Sequence, residues 1–509
     1  MEDSPVAIGE ALKPVSDPAP TTPSRVPEDH LHTMAKAFAW SGTGMWSTQL
    51  FTWLATFTVA RLLAPSDYGL IGIAQIFVGL VMEVNDHGLG LTVVNLQDLT
   101  ERQIGQLNTL SVLFGATAFC LSCLVARPLG VFFRMPHLPL LIIALSVTFL
   151  IRAMKTIPAA LLQRNIQFRA LAGIEAASYF TYAASTLLTA FLGFGYWSLV
   201  TGLVALSLCS ATMTLRQRRH CFAWPDMRSL RYPLKFTGHM LVSGLSWYVY
   251  ANSDLLVAGR VLGQSAVGTY TFAVTLASAP ADKITGLIQR VVPSFFAAAH
   301  EEKPILRSYL LTLSEIVFVF LLPATLGLAI VADQFITVAL GPKWLSAVTP
   351  LRILLMYATA KALTNTLSPM LNAKRQSHYT MWTNVAAAVY FPIGFFIGAR
   401  WGTAGIAATW VALYPFLAVP LFWRTFREIE LHWTEYARAL WPAFSCCILM
   451  ALAVILLGMS LPAAWPQPAR LVLEIAVGAA TYSSCMLVLH RRELRRLYRI
   501  IRPGEPVCA

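Results

Sequence analysis

Five basic side chains stand inside stretches that are otherwise apolar: Arg152 and Lys155, Lys283 and Arg290, and Lys361. An ionisable group is costly in such surroundings, so each is a candidate for holding an anion. A guanidinium grips a phosphate through two parallel hydrogen bonds, whereas an ammonium acts as a point charge. Lys361 lies nearest the middle of its apolar run, where it cannot easily reach a polar surface. Arg152, Lys155 and Arg290 lie nearer the ends of theirs, where fixing topology or snorkelling explains them as well. Arg61 and Arg260 stand at the ends of two further runs and suit either a structural turn or contact with a ligand.

Three acids, Asp254, Glu175 and Glu315, also lie within apolar runs, and Asp282 adjoins Lys283. A carboxyl in a low-dielectric cavity can carry a proton or help to bind sodium, and it can equally be a fixed ion-pair partner. Asp254, with Asn252 two residues before it, is the first candidate for ion coupling. No G-x-x-x-x-G-K-[ST] loop is present, so ATP hydrolysis is not expected and an H⁺ or Na⁺ gradient is the candidate energy source. Cys120 and Cys123 form a C-x-x-C without a second pair, inside an apolar helix. Core packing accounts for them, and neither metal nor cofactor is expected.

The elements that must position these groups follow from composition. Of 509 residues, 56% are hydrophobic and 12% are Asp, Glu, Lys or Arg, against about 25% charged residues in soluble domains. Apolar segments recur between residues 38 and 489 and, at about 20 residues for each crossing, amount to about fourteen spans. The chain is therefore expected to be an all-α polytopic membrane protein. Residues 1–34, rich in proline and polar residues, are expected to be a disordered cytoplasmic tail. The formal charge of +13 would suggest nucleic acid in a soluble protein. Here the basic residues gather in alternate loops: Arg164 and Arg169, the linker 216–236, Lys303 and Arg307, Lys374 and Arg375, Arg424 to Arg438, and the tail 490–509. By the positive-inside rule these loops and both termini are cytoplasmic, and no nucleic-acid partner is needed. The run Arg491 to Arg502 has the spacing of a basic amphipathic helix on anionic lipid, and serves equally as a topology-fixing flank.

The chain also repeats itself. Arg61-Leu62-Leu63-Ala64-Pro65-Ser66-Asp67-Tyr68-Gly69 matches Arg260-Val261-Leu262-Gly263-Gln264-Ser265-Ala266-Val267-Gly268 in Arg, Leu, Ser and Gly, 199 residues apart. Gly130, Pro139, Leu140, Ile142, Pro158 and Arg164 match Gly341, Pro350, Leu351, Ile353, Pro369 and Arg375, 211 residues apart. Two blocks in the same order indicate duplication. A repeat unit of six spans enters the membrane in one direction twice. That predicts two parallel lobes, residues 35–215 and 237–424, with a substrate path between them. Residues 438–489 add two helices outside the repeat.

The stretch Ala60 to Ala74, then Asp86-His87-Gly88-Leu89, and Val267-Gly268-Thr269-Tyr270-Thr271-Phe272-Ala273 in the second half, resemble the polysaccharide transporter family of the multidrug/oligosaccharidyl-lipid/polysaccharide exporter superfamily. Within it the chain looks most like Wzx-type flippases of the colanic-acid and xanthan-like exopolysaccharide branch. The resemblance implies a V-shaped pair of six-helix lobes in the bacterial inner membrane. It implies a transporter, not an enzyme, that moves undecaprenyl-diphosphate-linked oligosaccharide for exopolysaccharide or lipopolysaccharide synthesis by alternating access. The pathway's polymerase and chain-length or export proteins would be partners, with membrane lipids around it. Trp46, Tyr179, Tyr182, Trp247 and Tyr250 could then stack on sugar rings, although interfacial belts and core packing explain most of them equally well. The competing readings are a polymerase or ligase acting on the same lipid-linked sugars, and a drug or peptidoglycan-precursor exporter of the same superfamily.

Overall fold

The computed structural model describes residues 51–84, 89–96, 98–165, 167–226, 228, 230–298, 303–367, 370–371, 377–462 and 465–491; the side chains of 168, 232–240, 242, 243, 283–298 and 377 are outside that description. The expected tail 1–34, most of the basic segment 490–509, and residues Asp86, His87, Gly88, Lys374 and Arg375 therefore lie outside the described residues, as do the side chains of Lys283 and Arg290.

Helix is the dominant element because hydrocarbon offers the backbone no hydrogen-bond partner, so each spanning segment must satisfy its own. The first helix, α1, covers residues 51–62. It is followed by α2 (Pro65–Val84), the short α3 (Leu91–Asn95), α4 (Glu101–Phe133), α5 (Leu138–Arg164), α6 (Phe168–Phe191) and α7 (Trp197–Gln217). The second half contains α8 (Arg231–Val261), α9 (Gln264–Ala298), α10 (Lys303–Ile330), α11 (Ala332–Ala339), a 3₁₀ turn (Pro342–Ala347), α12 (Val348–Thr364), α13 (Ser377–Gly398) and α14 (Gly402–Glu428). Last come α15 (Trp433–Ser460) and α16 (Gln467–Leu489).

Among the described residues, eight helical stretches are long and apolar enough to cross a membrane, one of them the continuous stretch His378–Glu428 that holds α13 and α14. Large apolar side chains face outward, with Leu124 74% and Val131 80% exposed, which is the surface of a multi-pass membrane protein and not of a soluble one. Helices α8 and α9, which are not among those stretches, carry more polar residues and sit where the two halves meet.

Local chemistry sets the ends. Thr100 caps α4 in a reciprocal box with Gln103, their backbone N–H groups and side chains paired at 3.0 and 3.2 Å. At its other end Arg134 turns left-handed (φ 56°), and Met135 N–H donates to the Gly130 carbonyl at 3.0 Å. The 33-residue α4 exceeds its apolar core at both ends. At 1.5 Å per residue it is about 50 Å long against about 30 Å of hydrocarbon, so it tilts or protrudes. Its counterpart by the 211-residue offset is not one helix but α10 followed by α11. The apolar run 348–371 does not stay helical throughout: α12 ends at Thr364, and Thr366 donates its hydroxyl to the Leu363 carbonyl at 2.7 Å.

Within the first half α4 packs on α5, α5 on α7, and α6 on α7. Within the second, α8 packs on α13, α9 and α10 on α12, and α12 and α13 on α14. The halves join where α2 crosses α8 and α9. Helix α15 packs on α10 and on α16.

Candidate functional site

The contact between the halves is built from the repeat itself. Where α2 crosses α9, Gly69 and Gly268, matching positions 199 residues apart, meet backbone to backbone. A methyl group on Gly69 would run into the Gln264 carbonyl, and one on Gly268 into the Pro65 carbonyl. One turn further along, Gly72 lies against the Thr271 side chain, again its own match. Gln264 Nε2 donates across the crossing to the Ser66 carbonyl at 2.9 Å.

Around this crossing the halves grip each other crosswise. Trp344 is fully buried between Tyr68 and Phe272 (ring centroids 5.3 and 4.8 Å), and its Nε1 donates to the Ala60 carbonyl at 3.0 Å. By the repeat offsets Ala60 matches Gly259 and Trp344 matches Phe133, and Phe133 lies against Gly259: a methyl group there would be 3.1 Å from its ring. Each half thus presses one aromatic ring onto the end of the other half's first helix. Lys343 Nζ donates to the Arg61 and Leu63 carbonyls at 2.7 and 2.6 Å. Arg61 returns its guanidinium to the Ala339 carbonyl at 2.8 Å and to that of Val338, which satisfies carbonyls that the end of α11 leaves open. On the other side Arg260 stands over the Phe132 ring at 5.2 Å, a cation–π contact. Lys343 and Phe132 are matching positions too. Burial pushes the Lys343 ammonium below the usual lysine range, against the opposing pull of Asp67. Arg61 and Arg260 both hold the two halves together in this state.

A second group lies within the second half. Asp254 on α8 is 3% exposed. Its Oδ2 accepts from Tyr270 Oη on α9 and Trp410 Nε1 on α14, both at 2.9 Å, and its Oδ1 from Leu255 N–H at 2.7 Å. Trp410 stacks on Tyr357 of α12 at 4.7 Å, and Tyr414 meets Tyr357 edge-on at 4.8 Å. Lys361 stands one turn beyond Tyr357, its Nζ 5.8 Å from that ring, in the fields of Asp282 and Asp254. Lys361, Asp254 and Asp282 are thus one electrostatic group, with Asp282 at the exposed side. Asn252 does not join it, because its Nδ2 donates to the Tyr248 carbonyl at 2.9 Å.

Arg152 and Lys155 belong to the first half. Lys155 Nζ on α5 donates to Ser210 Oγ on α7 at 2.5 Å, and Arg152 and Glu175 both act on the Tyr179 phenol. Glu315 is partly buried on α10.

Three side chains were not singled out from sequence. Trp344 has no identical partner in the first half and becomes legible only when the 211-residue offset is carried to Phe133. Glu83, at the end of α2, approaches Gly244 on α8, where a methyl group would be 3.0 Å from its Oε1. Glu474 on α16 is buried and accepts from Gln334 Nε2 of α11 at 3.0 Å. A lone acid inside an apolar run was the available signal for both.

Residues 58–349 match the family described as Polysaccharide biosynthesis protein. Succinoglycan biosynthesis transport protein ExoT of Rhizobium meliloti is 26% identical over 501 residues, covering 95% of this chain and 98% of that protein. Among solved structures, lipid II flippase MurJ in its inward closed conformation superposes with a TM-score of 0.73 at 12% identity, over 90% of this chain and all (100%) of that one. A multidrug resistance MATE family transporter of the MOP superfamily, inward-facing, gives 0.59 at 16% identity over 75% and 94%. The likeness shows the fold, which is the one the sequence resemblance implies.

Proposed function

Since this chain belongs to the polysaccharide biosynthesis protein family, we propose that it is a flippase. It would carry a polyprenyl-diphosphate-linked oligosaccharide across the bacterial inner membrane for exopolysaccharide or lipopolysaccharide assembly. The observation that carries this reading is the crosswise grip at the Arg61 and Arg260 end. Two copies of one repeat close on each other through matched positions, so opening that end means breaking one reciprocal set of contacts while each half stays intact. That is the geometry alternating access requires. The names of ExoT, a transport protein, and of MurJ, a lipid II flippase, support the same reading.

A diphosphate bearing a polar glycan does not cross about 30 Å of hydrocarbon unaided, so the path must offer charge and hydrogen bonds. In this proposal Lys361, half-buried beside the Tyr357 ring, meets the diphosphate. Asp254 is the coupling acid: a proton or sodium ion there competes with the Tyr270 and Trp410 donors that now hold it. With the basic loops cytoplasmic, both termini are cytoplasmic and the closed end faces outward. No bond is made or broken, so the protein acts as a transporter and supplies its product to a polymerase and export proteins.

The test is the leaflet on which lipid-linked repeat units reside in a deletion strain whose polymerase is also inactive, read with a lectin that cannot cross the inner membrane. Units trapped on the cytoplasmic leaflet and released by restoring the gene are the expected result. Normal arrival of single units at the outer leaflet overturns the proposal and favours a later, enzymatic step.

A further inference from the structure

The segment that joins the halves is not a free linker. Residues 218–226 run as an extended strap along the first turns of α4. Ala223 N–H donates to the Gly105 carbonyl at 3.2 Å, Thr109 Oγ1 to the Ala223 carbonyl at 2.8 Å, and Gln106 Nε2 to the Trp224 carbonyl at 3.2 Å. Asn108 Nδ2 reaches the His220 carbonyl at 3.4 Å. Gln106 and Asn108 are buried polar groups on a helix that packs on α5, and their side-chain amides donate to the strap. Gly105 admits it: a methyl group there would be 3.1 Å from the Cys221 carbonyl.

So anchored, the strap turns its aromatic side chains away from the protein. Trp224 is 86% exposed and Phe222 60%. Together with Ala223 and with Thr109, Val112 and Leu113 of α4 they line a groove of about 340 Å³. The groove continues onto the outward apolar face of α4, where Leu113, Leu121 and Leu124 are exposed. Arg216, Arg219, Arg228 and Arg231 are exposed on either side of the strap. At about 3.3 Å per extended residue, Arg219 and Arg228 fall within roughly 15 Å of the groove. Of the acids nearby, Asp226 accepts from Arg228 N–H at 3.0 Å and Glu101 lies 3.8 Å from His220.

We propose that this groove holds an acyl chain of an anionic phospholipid whose phosphate is bound by the flanking arginines. An aqueous surface would make two exposed aromatic rings on a backbone-anchored strap unfavourable, whereas the level of the headgroups suits an indole. Arginines at that level attract anionic lipid, at about 1 kcal/mol for each charge near the surface. The acyl chain covers the rings and continues along α4, while the phosphate meets the guanidinium groups. This pins the join between the halves to the membrane surface on the basic side. The inference rests on the membrane orientation and not on the transported substrate, so it can fail without the flippase reading failing.

The test uses the full chain in nanodiscs of phosphatidylcholine doped with acyl-brominated phosphatidylglycerol or, in parallel, acyl-brominated phosphatidylcholine. The Trp224 signal is the fluorescence difference between wild type and Trp224→Phe, which keeps an aromatic ring on the strap. Quenching of that signal at a threefold or more lower mole fraction of the glycerol lipid is expected. Arg219→Gln with Arg228→Gln should abolish that preference and leave quenching by either lipid. Equal quenching by both lipids in the wild type overturns the anionic-lipid site. No quenching by either shows that Trp224 faces water or a covering protein, and overturns it also. Added undecaprenyl phosphate that restores Trp224 fluorescence at equimolar phosphatidylglycerol assigns the groove to the polyprenyl lipid instead, which contradicts the proposal as well.

Discussion

Gly69 and Gly268 occupy the same place in the two copies of the repeat and face one another where α2 crosses α9. Neither tolerates a Cβ without moving backbone, so the closed end depends on two missing side chains. Gly268→Val is expected to weaken closure by about 1–3 kcal/mol, the usual penalty for overpacking. The check is labelling of a cysteine at Gln264 by an impermeant maleimide, which should be faster in the Gly268→Val background. Unchanged labelling contradicts the crossing as the point of closure.

Trp344 fills the joint between the halves, buried between Tyr68 and Phe272 with its indole on the Ala60 carbonyl. Trp344→Ala should lower stability by about 3–5 kcal/mol, and Trp344→Phe, which loses chiefly the hydrogen bond, by about 1 kcal/mol. Thermal unfolding of the detergent-solubilised protein measures both. Equal losses in the two variants would show that packing around the ring contributes nothing beyond the hydrogen bond.

Lys361 is the cation placed among Asp254, Asp282 and the Tyr357 ring. Lys361→Ala should reduce polymer export roughly tenfold or more, equivalent to about 1.4 kcal/mol, with normal membrane insertion, and Lys361→Arg should restore part of it. Normal polymer yield at normal protein level in Lys361→Ala removes Lys361 from the proposal.

Asp254 accepts from three donors. Asp254→Asn keeps an acceptor for Tyr270 or Trp410 and should fold, yet its export should no longer respond when the proton or sodium gradient is collapsed. A variant whose export still falls with the gradient places coupling elsewhere.

At the opposite end, Lys303 Nζ donates to Glu430 at 2.6 Å, which holds the Glu430 carboxyl below its usual range and the Lys303 ammonium above its own. The carboxyl's contribution is present above its unfolded value and lost as pH falls through the folded one. The ammonium's is present below its unfolded value and lost only as pH rises through the folded one. Glu430→Gln should therefore lower the unfolding temperature equally at pH 6 and pH 8, with the difference shrinking as pH falls below the ordinary glutamate value of about 4.3. A difference that changes between pH 6 and pH 8 contradicts this assignment.

The repeat was the most legible feature of the sequence, because Arg, Leu, Ser and Gly recur in register, and the matched glycines do meet in space. What decides their meeting was harder to read. Trp344 and Phe133 press on matching helix ends as different rings, and Lys343 and Phe132 meet the matching arginine positions by different contacts, so identity does not mark them. Helix α11 and the turn Pro342–Ala347 are too short to register against an apolar window sized to a membrane span. Lys361 and Asp254 stood out because charge in an apolar run is rare. Their common neighbourhood did not, since they lie 107 residues apart and are joined only by the packing of α8, α9, α12 and α14. Arg61 and Arg260 kept two meanings in sequence, and the structure gives each a contact across the halves.

The central claim is that the grip at the Arg61 and Arg260 end opens during transport. Ser66→Cys with Gln264→Cys places two thiols where the Gln264 side chain now reaches the Ser66 backbone. Oxidised to a disulfide in cells, this pair should stop outer-leaflet appearance of lipid-linked oligosaccharide, and a reductant should restore it, while each single variant exports normally. Undiminished export with the cross-link fully formed would contradict alternating access through this end.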